Sequence, residues 1–308
     1  MSILSVPYFH NEAAAVAKLE EVLWGDEPVC PHCGGAGKSY RIQGKRPGLR
    51  KCGHCRKQYT VKVGTVFKSS HIPLHKWLQA VYLMTSSKKG ISAHQLHRVL
   101  EITYKSAWFM AHRIRETMRT DDLDAFGTDG GIFEVDETFI GHGREKKPKG
   151  EKRGRGYAHK HKVLSLIDRE RGRARSMVID SLKAADMEPI LKANVAKEAK
   201  LMTDEAGYYG EPGRSFKAHE LVRHNSGEYG RGEFQTNKIE GYFSIFKRGM
   251  KGVYQHCAKK HLHRYAAEFE FRYNNRSANG VEEAEHVALA LMRAAGRRLI
   301  YKSACRYA

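Results

Sequence analysis

Acidic residues are scarce in this sequence relative to basic ones. Of its 308 residues, 34 are Asp or Glu and 54 are Lys or Arg, which gives a formal net charge of +20 and a pI near 9.7. An excess of one sign on this scale repels itself and attracts polyanions. We therefore expect a nucleic acid as the partner, with a basic ribosome-associated or membrane-surface protein as the alternative.

The sequence also lacks long apolar runs. No stretch approaches the roughly 20 residues that a membrane-spanning helix needs, and the N-terminus does not show the basic-then-apolar pattern of a signal peptide. No internal repeat or low-complexity segment is present. Hydrophobic residues make up 41% of the chain and charged residues 29%, which is typical of a globular protein. We expect a protein that stays where it is made and has no membrane partner.

Cysteine is rare, but four of the six cysteines form two Cys-x-x-Cys pairs. Cys30 and Cys33 form the first pair, and Cys52 and Cys55 follow after 18 residues. Each pair makes a tight turn that points two thiolates at one position, and two such turns complete a tetrahedral Zn²⁺ site. Strand-like segments between and after the pairs predict a zinc ribbon. Four ligands leave no open position, so the zinc is structural; redox thiols are the alternative.

The region after the ribbon has helical periodicity. Residues 73–87 form an amphipathic pattern. Ser92 can cap a helix that runs to about Leu100, and Thr103 can cap a second one over residues 104–119. Two helices joined by such a short turn outline a helix-turn-helix, whose second helix reads DNA. A plain helical spacer is the alternative.

Two groups of residues are predicted to contact DNA, one on the second of these helices and one in a loop further along the chain. The second helix would present Tyr104, Lys105, Trp108, His112 and Arg115. The segment 141–160 is a Gly/Lys/Arg loop that could settle on a phosphate backbone. Its candidate contacts are Lys146, Lys147, Lys152 and Arg153. A solvated surface loop is the alternative for this segment.

The segment from Gly131 to Gly141 alternates apolar and β-branched residues with acids, which predicts a strand of period two. Asp136 lies in its middle. A buried Asp is costly unless something positive lies opposite it. A lysine, an arginine or a metal ion could provide that charge.

The order of the elements downstream indicates where other acids lie. A hairpin, a helix, a short strand that ends at Asp204, a further strand and a helix over 236–250 follow in turn. This order fits a ribonuclease-H-like sheet, in which the first and fourth strands are neighbours. Asp136 and Asp204 would then lie side by side, and Glu240 would face them from the helix.

Three carboxylates so close together repel one another, which raises their pKa values unless cations neutralise them. Mg²⁺ or Mn²⁺ suits such oxygen ligands, and two ions about 3.5–4 Å apart can assist both oxygens of a phosphodiester displacement. A lone acid at a strand end is more often a cap or an ion-pair partner, so the prediction depends on the coincidence of all three. Asp168 and Asp180 are interpreted as solvated turn residues, and Glu134 and Glu137 as less well aimed.

Three blocks resemble the signature motifs of bacterial insertion-sequence transposases of the DDE superfamily, in the Merlin-related, ISXO-like group with a zinc ribbon. They are Phe-Glu-Val-Asp136-Glu-Thr-Phe-Ile-Gly, Leu-Met-Thr-Asp204-Glu-Ala-Gly-Tyr and Thr-Asn237-Lys-Ile-Glu240-Gly-Tyr-Phe-Ser-Ile-Phe-Lys247-Arg. The resemblance spans nearly the whole chain. It implies a catalytic triad of Asp136, Asp204 and a third residue, for which we favour Glu240 as the stronger ligand, with Asn237 as the alternative. Lys247 and Arg248 would contact DNA.

What the resemblance implies is a transposase that cleaves DNA at the inverted repeats of its element and transfers the 3′-OH into target DNA. Double-stranded DNA would be the partner, and a homodimer or larger assembly would form on it because two ends are cut together. The expected location is the prokaryotic cytoplasm, at the nucleoid. A zinc-ribbon regulator without catalysis and a ribonuclease-H-like nuclease or resolvase that does not join strands are the alternatives.

The predicted fold is α+β and multidomain. Four domains are expected: an N-terminal helix and zinc ribbon over 1–70, helix-turn-helix-like helices over 71–120, a ribonuclease-H-like catalytic domain over 130–275, and a C-terminal helix over 276–308.

Overall fold

The computed structural model describes residues 3–44, 46–120, 124–141, 159–222, 236–282, 285–297 and 299. Contacts within the chain divide it into two units. The first comprises Met1–Arg119 and Gly280–Ala308, and the second comprises Thr120–Asn279. This division is coarser than the four predicted domains, because the ribbon, the helices that follow it and the C-terminal segment belong to one unit. No helix among the described residues is long and apolar enough to cross a membrane.

The first unit joins a small antiparallel sheet to a group of helices. Its described helices and strands are α1 (Glu12–Trp24), β1 (Ser39–Arg41), β2 (Arg50–Cys52), β3 (Gln58–Tyr59), α2 (Leu74–Ser86), α3 (Ala93–Leu100), α4 (Tyr104–Met118) and a C-terminal helix (Glu285–Met292). Asn11, Ser92 and Thr103 each accept a hydrogen bond from a backbone N–H in the first turn of a helix, which confirms the predicted caps Ser92 and Thr103. The sheet order is β1-β2-β3, and the short central strand was not predicted.

The C-terminal helix does not extend through the whole of the predicted segment, 276–308. Within the described residues it ends at Met292, and the chain then pairs with the segment that follows the ribbon. Val66 N donates to Ala294 O over 3.1 Å, and Gly296 N donates to Gly64 O over 2.9 Å. This pairing, together with the packing of the helix on α1 and α2, is why the C-terminal segment is part of the first unit.

The second unit is built around a mixed five-stranded sheet. Its described elements are β4 (Ile132–Ile140), β5 (His161–Asp168), β6 (Ala174–Ile179), α5 (Ala184–Asn194), β7 (Lys200–Asp204), α6 (Gly210–Gly213), β8 (Ala218–Val222), α7 (Asn237–Gly249) and α8 (Lys259–Asn274). The strand order is β6-β5-β4-β7-β8, with β4 antiparallel to β5 and parallel to β7. The first and fourth strands are therefore neighbours, and the ribonuclease-H-like order is confirmed.

A hydrophobic core lies on each face of this sheet. Phe133 and Val135 of β4 pack with Leu191 of α5 on one face, whereas Ile140 packs with Phe246 of α7 on the other. Successive side chains of a strand point to opposite faces, so the even-numbered residues of β4 face α7. The fully buried Phe246 contributes about 2 kcal/mol to holding α7 on the sheet.

Candidate active site and zinc centre

Asp136 and Asp204 occupy equivalent positions on the parallel strands β4 and β7. The last paired residues of the two strands are Glu134 and Met202, and each Asp lies two residues further along its strand. Because side chains repeat every two residues, both carboxylates project from the face that carries α7. They lie just beyond the last paired residues of β4 and β7, while β4 continues to pair with β5 as far as Ile140.

The charge around Asp136 is predominantly negative. Its pKa is raised to about 8, first by burial and then by the negative charges of Glu137 and Asp204. The Glu137 N–H, which donates to Asp136 Oδ1 over 2.7 Å, and the ammonium of Lys247 oppose this rise in the pKa. A divalent cation would neutralise such carboxylates, and their oxygen atoms are the ligands that Mg²⁺ and Mn²⁺ prefer.

One side of α7 carries the other residues predicted for the catalytic site. Asn237, Glu240 and Lys247 lie three or seven residues apart, which places them on one side of the helix, and all three are exposed. Glu240 Oε1 accepts a hydrogen bond from the Thr236 hydroxyl over 3.5 Å.

The three acids are less tightly grouped than predicted. Within the described residues, the four ribbon cysteines form the only group of three or more His, Cys, Asp or Glu ligand atoms that all lie within 4.8 Å of one another. Asp136, Asp204 and Glu240 are therefore not all within that distance of each other.

Glu134, interpreted from the sequence as poorly aimed, is fully buried and makes specific contacts. Its Oε2 accepts a hydrogen bond from the backbone N–H of Ile239 in α7 over 2.8 Å. Its Oε1 lies 3.2 Å from Nε of Arg169. Burial raises the pKa of Glu134, and the Ile239 N–H and the Arg169 charge oppose that rise.

Glu137 also has a defined role in the local structure, which sequence reasoning missed. It projects from the opposite face of β4, where its two carboxylate oxygens accept hydrogen bonds from the hydroxyls of Tyr208 and Tyr209. Both tyrosines follow Asp204 closely in the chain. The motif around Gly207 and Tyr208 was the sequence signal for these contacts. The alternation of side chains along a strand does not show which strand a tyrosine will contact.

The interpretation of Asp168 as a solvated turn residue is wrong. Asp168 is only 3% exposed, and its Oδ1 accepts hydrogen bonds from the N–H groups of Glu170 and Arg171, each over 2.9 Å. It closes the hairpin between β5 and β6. Asp180 is exposed, as predicted, and pairs with Lys259.

The four cysteines of the ribbon form a site with the dimensions of a zinc centre. Sγ of Cys30 lies 3.7 Å from Sγ of Cys55, and the Sγ atoms of Cys33 and Cys52 are also 3.7 Å apart. A tetrahedron with Zn–S bonds of about 2.3 Å has edges of about 3.8 Å. The pKa of the Cys52 thiol is lowered to about 6, chiefly by the Cys55 N–H 3.5 Å away and also by the His54 N–H and the neighbouring thiols. The residues therefore fit a structural Zn²⁺.

The predicted DNA-contacting residues divide into three groups. Lys105, Lys247 and Arg248 are exposed. Arg115 is only 2% exposed and His112 only 1%, so the prediction that they face DNA is wrong in this structure. α4 packs against α2, α3 and the C-terminal helix, and most residues of its C-terminal half are buried. Lys146, Lys147, Lys152 and Arg153 lie outside the described residues.

Two families match this sequence. Residues 129–274 match the ISXO2-like transposase domain, and residues 10–58 match the transposase zinc-ribbon domain. Together these matches cover more than half of the chain and correspond to the second unit and the ribbon. The chain belongs to the zinc-ribbon, ISXO2-like transposases. The predicted family is thereby confirmed.

Individual proteins are similar over long stretches. An uncharacterized protein in transposable element ISH50 of Halobacterium salinarum is 24% identical over 285 residues, covering 88% of this chain and 93% of that protein. A chain of the cryoEM structure of a simian T-cell lymphotropic virus intasome in complex with PP2A regulatory subunit B56 gamma is 12% identical (62% and 64% coverage, TM-score 0.28). A chain of a pre-cleavage Mos1 transpososome crystal structure is 11% identical (67% and 78% coverage, TM-score 0.24).

Proposed function

We propose that this transposase cleaves the phosphodiester bonds at the ends of its insertion sequence and transfers the resulting 3′-OH to target DNA. The observation that carries the proposal is the placement of Asp136 and Asp204 on adjacent parallel strands, on the face covered by α7. Buried like charges of this kind require a cation or a proton. A basic chain and an exposed lysine beside the acids supply the affinity for a polyanionic substrate.

The carboxylates of Asp136, Asp204 and Glu240 would hold Mg²⁺ or Mn²⁺, and Asn237 could take the third position instead. Such ions, when bound, activate an attacking oxygen and stabilise the leaving oxygen of a phosphodiester. Lys247, whose positive charge is felt by Asp136, would hold a DNA phosphate next to the acids. The Tyr208 and Tyr209 hydroxyls orient Glu137 and so link β4 to the segment that follows β7.

The first unit would bind the inverted repeats. The ribbon and the start of α4 provide exposed basic residues, Lys105 among them, and phosphate contacts of this type give affinity without sequence information. Because two ends must be cut together, we expect a homodimer or larger assembly on DNA.

Strand cleavage of labelled inverted-repeat DNA in Mg²⁺ tests this function. We expect the wild-type protein to cleave the DNA ends and then join them to target DNA. The cleavage rate should fall at least about 10³-fold in Asp136→Asn and in Asp204→Asn, since each variant lacks a charge used in the transition state. Exposed Asp180→Asn is the matched control and should cut normally. Normal cleavage by both site variants would rule out the assignment. Cutting without joining would instead indicate a nuclease or resolvase, and binding without cutting a regulator.

The third position is tested by a separate pair of variants in the same assay. Loss of cleavage with Glu240→Gln, and not with Asn237→Ala, is the expected result, because a carboxylate is the stronger ligand for a hard cation. The reverse pattern would move the third ligand to Asn237.

A further inference from the structure

The first turn of α7 has no capping side chain of its own. Thr236 occupies the N-cap position, and its side chain makes no capping hydrogen bond. Its hydroxyl donates instead to Glu240 Oε1 over 3.5 Å. The first amides of a helix have no partner within the helix and need an acceptor from elsewhere.

Glu134 of β4 is that acceptor. Its Oε2 accepts the N–H of Ile239 over 2.8 Å, and the side chain is fully buried. Arg169 lies 3.2 Å from the other oxygen, and the ammonium of Lys238 donates to the Arg169 carbonyl over 2.5 Å. One carboxylate therefore joins β4, the turn after β5 and the start of α7. A negative charge at this end also interacts favourably with the helix dipole.

We propose that Glu134 is a positioning residue that sets the first turn of α7, and with it Asn237 and Glu240, against Asp136. The inference rests on the proposed function for its effect on DNA cleavage. Glu134 lies two residues before Asp136 on the same face of β4, and Ile239 immediately precedes Glu240. Glu134 is thus two strand residues from Asp136, and the Ile239 amide that it accepts is one helical residue from Glu240. The cap comes from the sheet, so the helix start cannot shift along the strand without breaking this bond.

A second buried glutamate in the same unit offers a matched control. Glu270 of α8 is 6% exposed and accepts the N–H of Ser176 over 2.9 Å. It joins α8 to β6, away from the first turn of α7. Replacement of Glu270 therefore removes the same kind of bond without touching the proposed anchor.

The first test measures hydrogen exchange of full-length Glu134→Gln, Glu134→Ala, Glu270→Gln and Glu270→Ala. In both Glu134 variants we expect exchange of the Ile239 amide, and of the peptide over 237–243, to accelerate at least about tenfold while β5 stays protected. Gln keeps an acceptor oxygen but loses the Arg169 ion pair, so its effect should be the smaller one. The Glu270 variants should exchange like wild type at the Ile239 amide. Wild-type protection there in both Glu134 variants, or an equal loss in the Glu270 variants, would overturn the proposal.

The second test measures Mn²⁺ affinity of the DNA-free proteins and then the kinetics of end cleavage. Glu134→Gln should weaken Mn²⁺ binding about tenfold and lower kcat while KM for DNA stays within about twofold, because the anchor acts through Glu240 and not through DNA contacts. Unchanged Mn²⁺ affinity and unchanged kcat would overturn the proposal. If the wild-type protein cuts no DNA, the proposed function fails, whereas the exchange result still decides the role of Glu134.

Discussion

The hydroxyl of Tyr209 donates a hydrogen bond to Glu137 over 2.8 Å, which joins the strand that carries Asp136 to the segment after Asp204. Tyr209 is fully buried, and Tyr208 donates to the other carboxylate oxygen. The contact lies on the face of the sheet opposite α7. These two neutral donors therefore link β4 to the segment after Asp204 on the face of the sheet opposite α7.

Replacement of the Tyr209 hydroxyl tests whether this contact supports the candidate site. Tyr209→Phe should lower the free energy of unfolding by about 1.5–3 kcal/mol, because a buried carboxylate loses a donor, and should slow end cleavage. Urea unfolding and the cleavage assay measure the two effects. Tyr254→Phe is the control, since Tyr254 donates to the buried Glu268 over 2.5 Å. It should lose stability to a similar degree and cut at the wild-type rate; equal slowing in both variants would contradict a specific role for Tyr209.

The raised pKa of Asp136 predicts that the candidate site destabilises the metal-free protein. Its folded-state pKa of about 8 lies above the usual value near 3.9, so the folded protein retains a proton that the unfolded chain has released. Stability from this group is complete below about pH 4 and is lost as the pH rises to about 8. Asp136→Asn should therefore gain stability relative to wild type as the pH rises, by a margin that grows by up to about 1.4 kcal/mol for each pH unit over this range.

Urea unfolding from pH 4 to pH 8.5, without added divalent cations, measures this margin. Asp180→Asn should show no such growth, because Lys259 lowers the pKa of Asp180. Added Mg²⁺ should stabilise the wild type and reduce the margin, since a ligand that binds only the folded state shifts the equilibrium towards it. A margin that does not depend on pH would refute the linkage to Asp136.

The ribbon cysteines predict a zinc-dependent fold for the N-terminal segment. Wild-type protein should contain one Zn²⁺ per chain by elemental analysis, and Cys52→Ser should lose it together with ribbon structure, because the metal supplies much of the folding energy of such modules. Cys257→Ser changes a cysteine outside the ribbon and should keep its zinc. Full zinc content in Cys52→Ser would be incompatible with the four-cysteine centre.

The different burial of two basic residues on α4 predicts opposite phenotypes. Lys105→Ala should weaken DNA binding and reduce the slope of log affinity against log salt by about 1, as expected for one lost phosphate contact. Arg115→Ala should instead lower the free energy of unfolding by about 1–3 kcal/mol, since its side chain is buried. Salt titrations of DNA binding and urea unfolding separate the two outcomes. Weaker DNA binding by Arg115→Ala at unchanged stability would return Arg115 to the interface.

Local patterns in the amino-acid sequence were sufficient for much of this fold. The spacing of the cysteine pairs specified the ribbon centre, and Ser92 and Thr103 marked helix starts that the structure reproduces. The order of strands and helices was enough to place β4 beside β7. These features depend on neighbours in the chain or on rules of strand connection, which a single sequence carries.

Tertiary packing decided the rest, because burial and pairing between distant segments leave no periodic signal. Arg115 carries a charge, which favours an exposed position on α4. In the folded protein, packing against other elements leaves only 2% of it exposed. Glu134 and Glu137 both lie within two residues of Asp136. Glu134 accepts a helix amide on one face of the strand, whereas Glu137 accepts two tyrosine hydroxyls on the other. Alternation puts them on different faces, but the partners are more than 70 residues away in the chain. Only the folded sheet brings these partners next to Glu134 and Glu137.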